Sequence, residues 1–227
     1  MNILTSDPKP LWRHAVAEFL GTGLLVTVVA GSGIAAQNLS PHLVGTERLE
    51  NSIATASGLT VLILLFQHLS GARYNPLVTL ADSALGAGHS ARDTVVYLLA
   101  QVIGGAVLAN AMFDTATRIS TTHRVTPGHL LGEVVATAGL ILVIFALART
   151  GRSVLVAPAV GGYIGAAYWF TSSTSFANPA VTIGRIFTNT FAGIAPESAP
   201  WFLAAQFLRA ATGVGLVLLV FPYRKAS

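Results

Sequence analysis

No cysteine occurs among the 227 residues, which excludes a disulfide framework and thiolate metal sites. Charge is scarce as well. Asp, Glu, Lys and Arg make up 10% of the chain, against roughly 25% in an average soluble domain. So few charges cannot coat a water-soluble globule of this size, whereas a bilayer can serve as solvent instead. The net charge of +4 does not point to nucleic acid, because the basic residues lie in short gaps between apolar runs and form no stripe. The histidines (His14, His42, His68, His89, His123 and His129) are scattered without metal-ligand spacing, although His68 and His89 fall near one mouth of any pore. No nucleophile–base pair or phosphate loop appears, which sets an enzyme aside. No cleavable signal is expected, since the first apolar run starts after Lys9 and Arg13 and continues to about Ala36, longer than a signal core.

What is present is apolar surface in long pieces. The mean hydropathy is +0.66, and the length suits one membrane unit of about six spans at roughly 20 residues each. Six segments are expected: Arg13–Ala36, Ser52–Leu69, Thr94–Phe113, Leu130–Ala148, Val154–Thr171 and Pro200–Phe221. Glycines inside them, such as Gly21, Gly104 and Gly161, are costly in a soluble helix but allow close helix packing in a bilayer. Tyr163, Tyr168, Trp169, Trp201 and Tyr223 fall mostly near span ends, as interfacial anchors do. With a cytoplasmic N-terminus, Lys9, Arg13, Arg73, Arg92, Arg149, Arg152, Arg224 and Lys225 lie inside, and Arg48, Arg118, Arg124 and Arg185 lie outside. That distribution obeys the positive-inside rule and predicts both termini in the cytoplasm.

Two apolar stretches are too short to span: Asn75–Leu85 (NPLVTLADSAL) and Asn178–Phe187 (NPAVTIGRIF). They belong to an internal repeat. EFLGT at Glu18, NPLVT at Asn75 and LAQ at Gln101 recur in the same order as EVVAT at Glu133, NPAVT at Asn178 and AAQ at Gln206. Each half, about 13–113 and 130–221, holds three spans, so the second half sits inverted with respect to the first. Inverted repeats place their shared site near the bilayer midplane, where the two Asn-Pro stretches meet.

Asn-Pro suits that place. Pro76 and Pro179 at the first helical position lose no hydrogen bond. Each asparagine caps its half-helix with its side-chain oxygen and keeps amide N–H groups to donate to a solute. Two helix N-termini meeting head to head repel cations, and water orienting its oxygen toward both asparagines opposes proton passage. Non-helical backbone at this depth is tolerated where it lines a wet cavity, so the arrangement implies a pore.

The paired NPLVT and NPAVT segments, Glu18 and Glu133, and SGARYNP at Ser70–Pro76 resemble the major intrinsic protein family of aquaporins and aquaglyceroporins. The resemblance runs from about Arg13 to Phe221. It implies an all-α membrane fold of six transmembrane helices and two re-entrant half-helices, with one pore per subunit and a homotetramer in the cell membrane, the inner membrane if bacterial. It also implies no cofactor. Asn75 and Asn178 would be the central pore donors, and Glu18 and Glu133 would hold the preceding loops.

The sequence departs from the family at several positions. Val181 follows Asn178-Pro179-Ala180, where the family usually carries an arginine. Matching the other filter positions gives Ala166, Ser175, and Thr55 or Ser57, all small, with no aromatic or histidine among them. The resemblance then implies a wide, weakly polar outer constriction passing water, glycerol and neutral metalloid hydroxides such as arsenous acid. The Val181 exchange resembles a bacterial branch linked with arsenic resistance. Arg185, one turn beyond Val181, leaves two readings: a partial replacement for the missing cation, or a mouth arginine bonded to loop carbonyls. Leu77 stands where alanine is usual, and either narrows the centre or alters packing. Arg209, deep in the sixth span, is open between a subunit contact, a carbonyl-capped role and snorkelling. Alternatives to a passive channel of this width are a strictly water-selective pore and a secondary transporter with broken helices. The transporter would usually carry an ion site at the midplane, where this chain offers asparagines.

Overall fold

A computed structural model describes residues 10–86, 90–112, 119–171 and 174–222, with the side chains of 108–112 left aside. His89, Arg118, Tyr223 and the terminal Lys9, Arg224 and Lys225 lie outside the described residues. Among the described residues the regular structure is all helical. The long helices are α1 (Leu11–Leu39), α2 (Val44–Ser70), α4 (Ala91–Met112), α5 (Pro127–Arg149), α6 (Val156–Phe170) and α8 (Ala199–Val220). Two short ones, α3 (Pro76–Ala84) and α7 (Pro179–Gly184), interrupt the series after α2 and after α6. Among the described residues, α1, α2, α5, α8 and the stretch Ser153–Phe170 are long and apolar enough to cross a membrane. α4 is the sixth long helix, with 22 residues.

The helices match the expected spans within a few residues, with two differences. α2 begins at Val44 rather than Ser52, because Glu47, Arg48 and Glu50 break the apolar run without breaking the helix. The second short helix ends at Gly184 and tightens into a 3₁₀ turn over Arg185–Phe187, so it is shorter than the apolar stretch.

Packing follows the repeat. In the first half α1 packs on α2 and α4, and in the second half α5 packs on α6 and α8. The halves join through α2 against α6, α3 against α8, α4 against α7, and α3 against α7. Close approach needs small residues. A Cβ on Gly104 would lie 2.2 Å from the Phe19 carbonyl oxygen, and one on Gly161 2.6 Å from that of Ala56. These contacts set the α1–α4 and α2–α6 spacings, as expected where packing rather than water drives helix association.

The outer surface of the bundle is apolar, and polar side chains are buried within an otherwise apolar interior. Leu65, Leu208 and Leu219 are exposed by 63, 76 and 78%, whereas Glu18, Gln101, Glu133 and Gln206 are wholly buried. Lipid is the solvent that fits such a surface.

Candidate pore

The two segments before the asparagines have nearly the same backbone. Ala72 and Tyr74 take φ of 48° and 50°, and Ser175 and Ala177, at the equivalent positions, take 50° and 45°. Non-glycine residues in this region carry strain, on the order of 1–3 kcal/mol each, unless their surroundings hold them. Two carboxylates do so. Glu18 accepts from the backbone N–H of Arg73 at 3.1 Å and of Tyr74 at 2.8 Å. Glu133 accepts from Phe176 at 2.9 Å and Ala177 at 2.8 Å. Gln101 donates to Glu18 and to Thr79 Oγ1, and Gln206 donates to Glu133 and to Thr182 Oγ1. Each threonine hydroxyl donates in turn to the carbonyl of its own helix's capping asparagine. The anchors legible as a sequence repeat are thus one hydrogen-bond network built twice.

Those networks aim the asparagines. Asn75 Oδ1 accepts from Leu77 N–H at 2.9 Å, and Asn178 Oδ1 from Ala180 N–H at 3.0 Å, so both cap their half-helices. The amides are not entirely free, as the sequence had suggested. Asn75 Nδ2 donates to the Ala177 carbonyl and Asn178 Nδ2 to the Tyr74 carbonyl, both at 2.8 Å. An amide carries two N–H donors, so one on each side chain is structural and the other remains.

Both asparagines line a cavity of about 210 Å³. Its wall includes Arg73 and Asp82 toward one end, and Thr55, Tyr168, Ser175, Val181 and Arg185 toward the other. Between them it is largely apolar, with Leu25, Val29, Leu59, Ile63, Val160 and Ile164. Val78 and Val181 both face the cavity, each three residues after its asparagine. Leu77 is buried in the core and is not part of the wall, so its bulk goes into packing.

Two expected filter positions face elsewhere. Ala166 and Ser57 are exposed on the outside of the bundle. The cavity face of α6 runs Val156, Val160, Ile164, Tyr168, and that of α2 runs Thr55, Leu59, Ile63, both in steps of four. A residue two positions off such a stripe points to the opposite side of a helix. Tyr168, read from sequence as an anchor, is 1% exposed, and its hydroxyl pairs with Thr55 Oγ1 at 3.1 Å. Phe176 also lines the cavity. The end of the cavity near Val181 therefore holds aromatic rings that the sequence reading missed. The step-of-four stripe ending at Tyr168 was the signal that would have found the first of them.

Arg185 is wholly buried and lines the cavity. Its Nε donates to the Ala192 carbonyl and its Nη2 to Thr174 Oγ1 at 2.8 Å, and its guanidinium lies 3.7 Å from the Phe176 ring centre. Arg185 is thus tied to the loop through Ala192 and Thr174, and it also lines the cavity. Arg124, read from sequence only as a loop charge, lies 5.5 Å from the same ring centre and donates to the Gly193 carbonyl at 2.7 Å and to that of Phe191. Burial, aided by the nearby Arg185 charge, lowers its pKa to about 9. At the other end, Arg73 pairs with Asp82, donating through Nε at 2.6 Å, and stacks 5.0 Å from the Tyr97 ring centre. Among the described residues, no group of three or more histidines and carboxylates is placed to hold a metal.

Comparison with known proteins agrees with this architecture. The model of the family described as Major intrinsic protein matches residues 5–175. Aquaglyceroporin AqpS of Rhizobium meliloti (strain 1021) is 46% identical over 211 residues, covering 91% of this chain and 89% of that protein. A probable aquaporin, TIP-type, of Medicago truncatula is 32% identical over 189 residues, covering 76% and 74%. The crystal structure of the aquaglyceroporin from Plasmodium falciparum superposes with a TM-score of 0.72 at 19% identity, covering 92% of this chain and 96% of that one, which establishes a shared fold. The chain belongs to the major intrinsic protein family and is a passive membrane channel for water and small solutes, not an enzyme.

Proposed function

We propose that this channel is of the aquaglyceroporin kind, passing glycerol and neutral metalloid hydroxides such as arsenous acid along with water. The observation that carries this reading is Val181, which presents an isopropyl group to the cavity where the family usually places a guanidinium. The wall suits such solutes. Its apolar stripes accept the carbon side of a polyol, and the second amide N–H of Asn75 and of Asn178, with the Thr55–Tyr168 hydroxyl pair, meets the oxygens. Tyr168 and Phe176 make the outer end narrower than the small residues alone implied, which sets an upper limit on solute width. The similarity to a protein named an aquaglyceroporin supports the same reading.

The unit of function is the whole pair of inverted halves, since each half supplies one asparagine to the cavity. A homotetramer in the cell membrane, with both termini cytoplasmic, agrees with the charge distribution and with the family resemblance. The test is a panel of water, glycerol, urea and arsenous acid permeabilities in proteoliposomes for wild type and Val181→Arg. Arginine is expected to lower permeability to the larger solutes more than to water. Equal effects on all four would remove Val181 from selectivity, and saturable uptake driven by an ion gradient would favour a transporter.

A further inference from the structure

Arg185 makes two protein hydrogen bonds, through Nε and Nη2. Its Nη1 is buried and has no acceptor among the described residues. A guanidinium carries five N–H donors in a fixed plane, and leaving a charged one buried without an acceptor costs more than leaving a neutral one. Orphans of this kind are rare in folded proteins and call for an explanation. A second one lies in the same cavity wall. Ser175 Oγ is buried without a partner among the described residues, on a segment whose backbone is fixed by Glu133. The Thr55–Tyr168 hydroxyl pair lines the same cavity. Its other outer groups, Val181 and Phe176, offer no side-chain hydrogen bond.

We infer that Arg185 Nη1 and Ser175 Oγ form a donor subsite for a permeating solute that carries two or more oxygens. Arg185 then takes the role of specificity-determining cation, one helical turn beyond Val181. The two protein bonds and the Phe176 ring hold the guanidinium plane in place, so Nη1 is pre-set and loses little freedom when a solute oxygen arrives. Ser175 Oγ, which can both donate and accept, meets the second oxygen. A vicinal diol or triol has that pattern, and water, with one oxygen, gains less from it. The inference rests on the channel reading above and deepens it.

The test measures glycerol and water permeabilities of reconstituted full-length protein by stopped-flow light scattering. Arg185→Met keeps an unbranched side chain of similar reach but removes donors and charge. It is expected to lower the glycerol-to-water ratio about tenfold, the order set by one charged hydrogen bond. Arg185→Lys is expected to recover most of that ratio. Ser175→Ala breaks no protein hydrogen bond and keeps the chain foldable, and it should lower the ratio by itself. A parallel fall of both permeabilities in Arg185→Met, a raised glycerol permeability, or an unchanged ratio in Ser175→Ala would each overturn the subsite. If wild-type protein passes water but no glycerol, the aquaglyceroporin reading itself fails, independently of the variants.

Discussion

Asn75 and Asn178 hold each other's approach loops. The amide of each donates at 2.8 Å to the carbonyl of the residue just before the other, Ala177 and Tyr74 respectively. The contact is reciprocal, so the two half-helices cannot separate without breaking both bonds. It also faces the remaining N–H of each amide with two helix N-termini, where positive ends of the dipoles add. The same two side chains therefore join the halves of the bundle and mark the centre of the cavity.

Removing one amide should be felt in both halves. Asn75→Ala is expected to lose a cap and leave the Ala177 carbonyl without its donor, a cost of about 2–4 kcal/mol. Thermal unfolding of the detergent-solubilised protein checks the loss. Asn178→Ala should give a similar value because the bonds are equivalent. Markedly different losses for the two would show that the reciprocal contact is not shared evenly.

The carboxylates are the supports with the least tolerance. In Glu18→Gln one oxygen becomes an NH₂ group facing N–H donors, so the strained Tyr74 backbone or Gln101 loses its acceptor. A loss of about 2–3 kcal/mol follows, with water permeability falling as the Asn75 loop relaxes. Glu133→Gln should behave the same way through Phe176, Ala177 and Gln206. Stability and single-channel water permeability together read this. A stable, fully permeable variant would contradict the supporting role.

Tyr168 lines the cavity and bonds through its hydroxyl to Thr55. Tyr168→Leu removes the ring edge and the hydroxyl bonded to Thr55, at a stability cost of about 1–3 kcal/mol. Permeability to a linear four-carbon polyol is expected to rise while that to water stays within about twofold, since width and not wall polarity limits the larger solute. If the four-carbon polyol is excluded as before, the narrowest point lies elsewhere.

The charge on Arg124 should be insensitive to mild pH changes. Arg124 has its pKa lowered to about 9, which means the charged form is retained below that value and lost only as pH rises through it. Burial disfavours the cation, so the penalty is present at neutral pH and relieved above about 9, which adds nothing to stability on the acid side. Between about pH 5 and pH 8 the Arg124 cation should therefore stay in place beside Phe176, and solute permeability should be flat. A steep change in that window that persists in Arg124→Gln would trace it to a different titrating group.

Much of the site was legible because it is written twice. Glu18 and Glu133, Asn75 and Asn178, and Gln101 and Gln206 recur in order, and each pair ends in one network. Facing direction was less legible. Ala166 and Ser57 each missed the cavity by two residues, since alignment by counting fixes depth along a helix but not rotation about it. Arg124 could not be found by sequence, because its partners Gly193 and Phe191 lie in a loop nearly seventy residues away.

By itself, the sequence determined that the chain lives in a bilayer, that it carries two inverted halves, and that a capped Asn-Pro turn begins a short helix in each. Those are properties of composition and local chemistry, readable wherever apolar length and turn residues occur. Only the tertiary structure decided which side chains form the wall: Tyr168 and Phe176 inward, Ala166 and Ser57 outward, and Arg185 buried with one nitrogen unpartnered among the described residues. These depend on how far each helix turns when α2 meets α6 and when the α7 segment folds under the loop at Ala192. That rotation is settled by packing between residues distant in the chain, which no local pattern encodes.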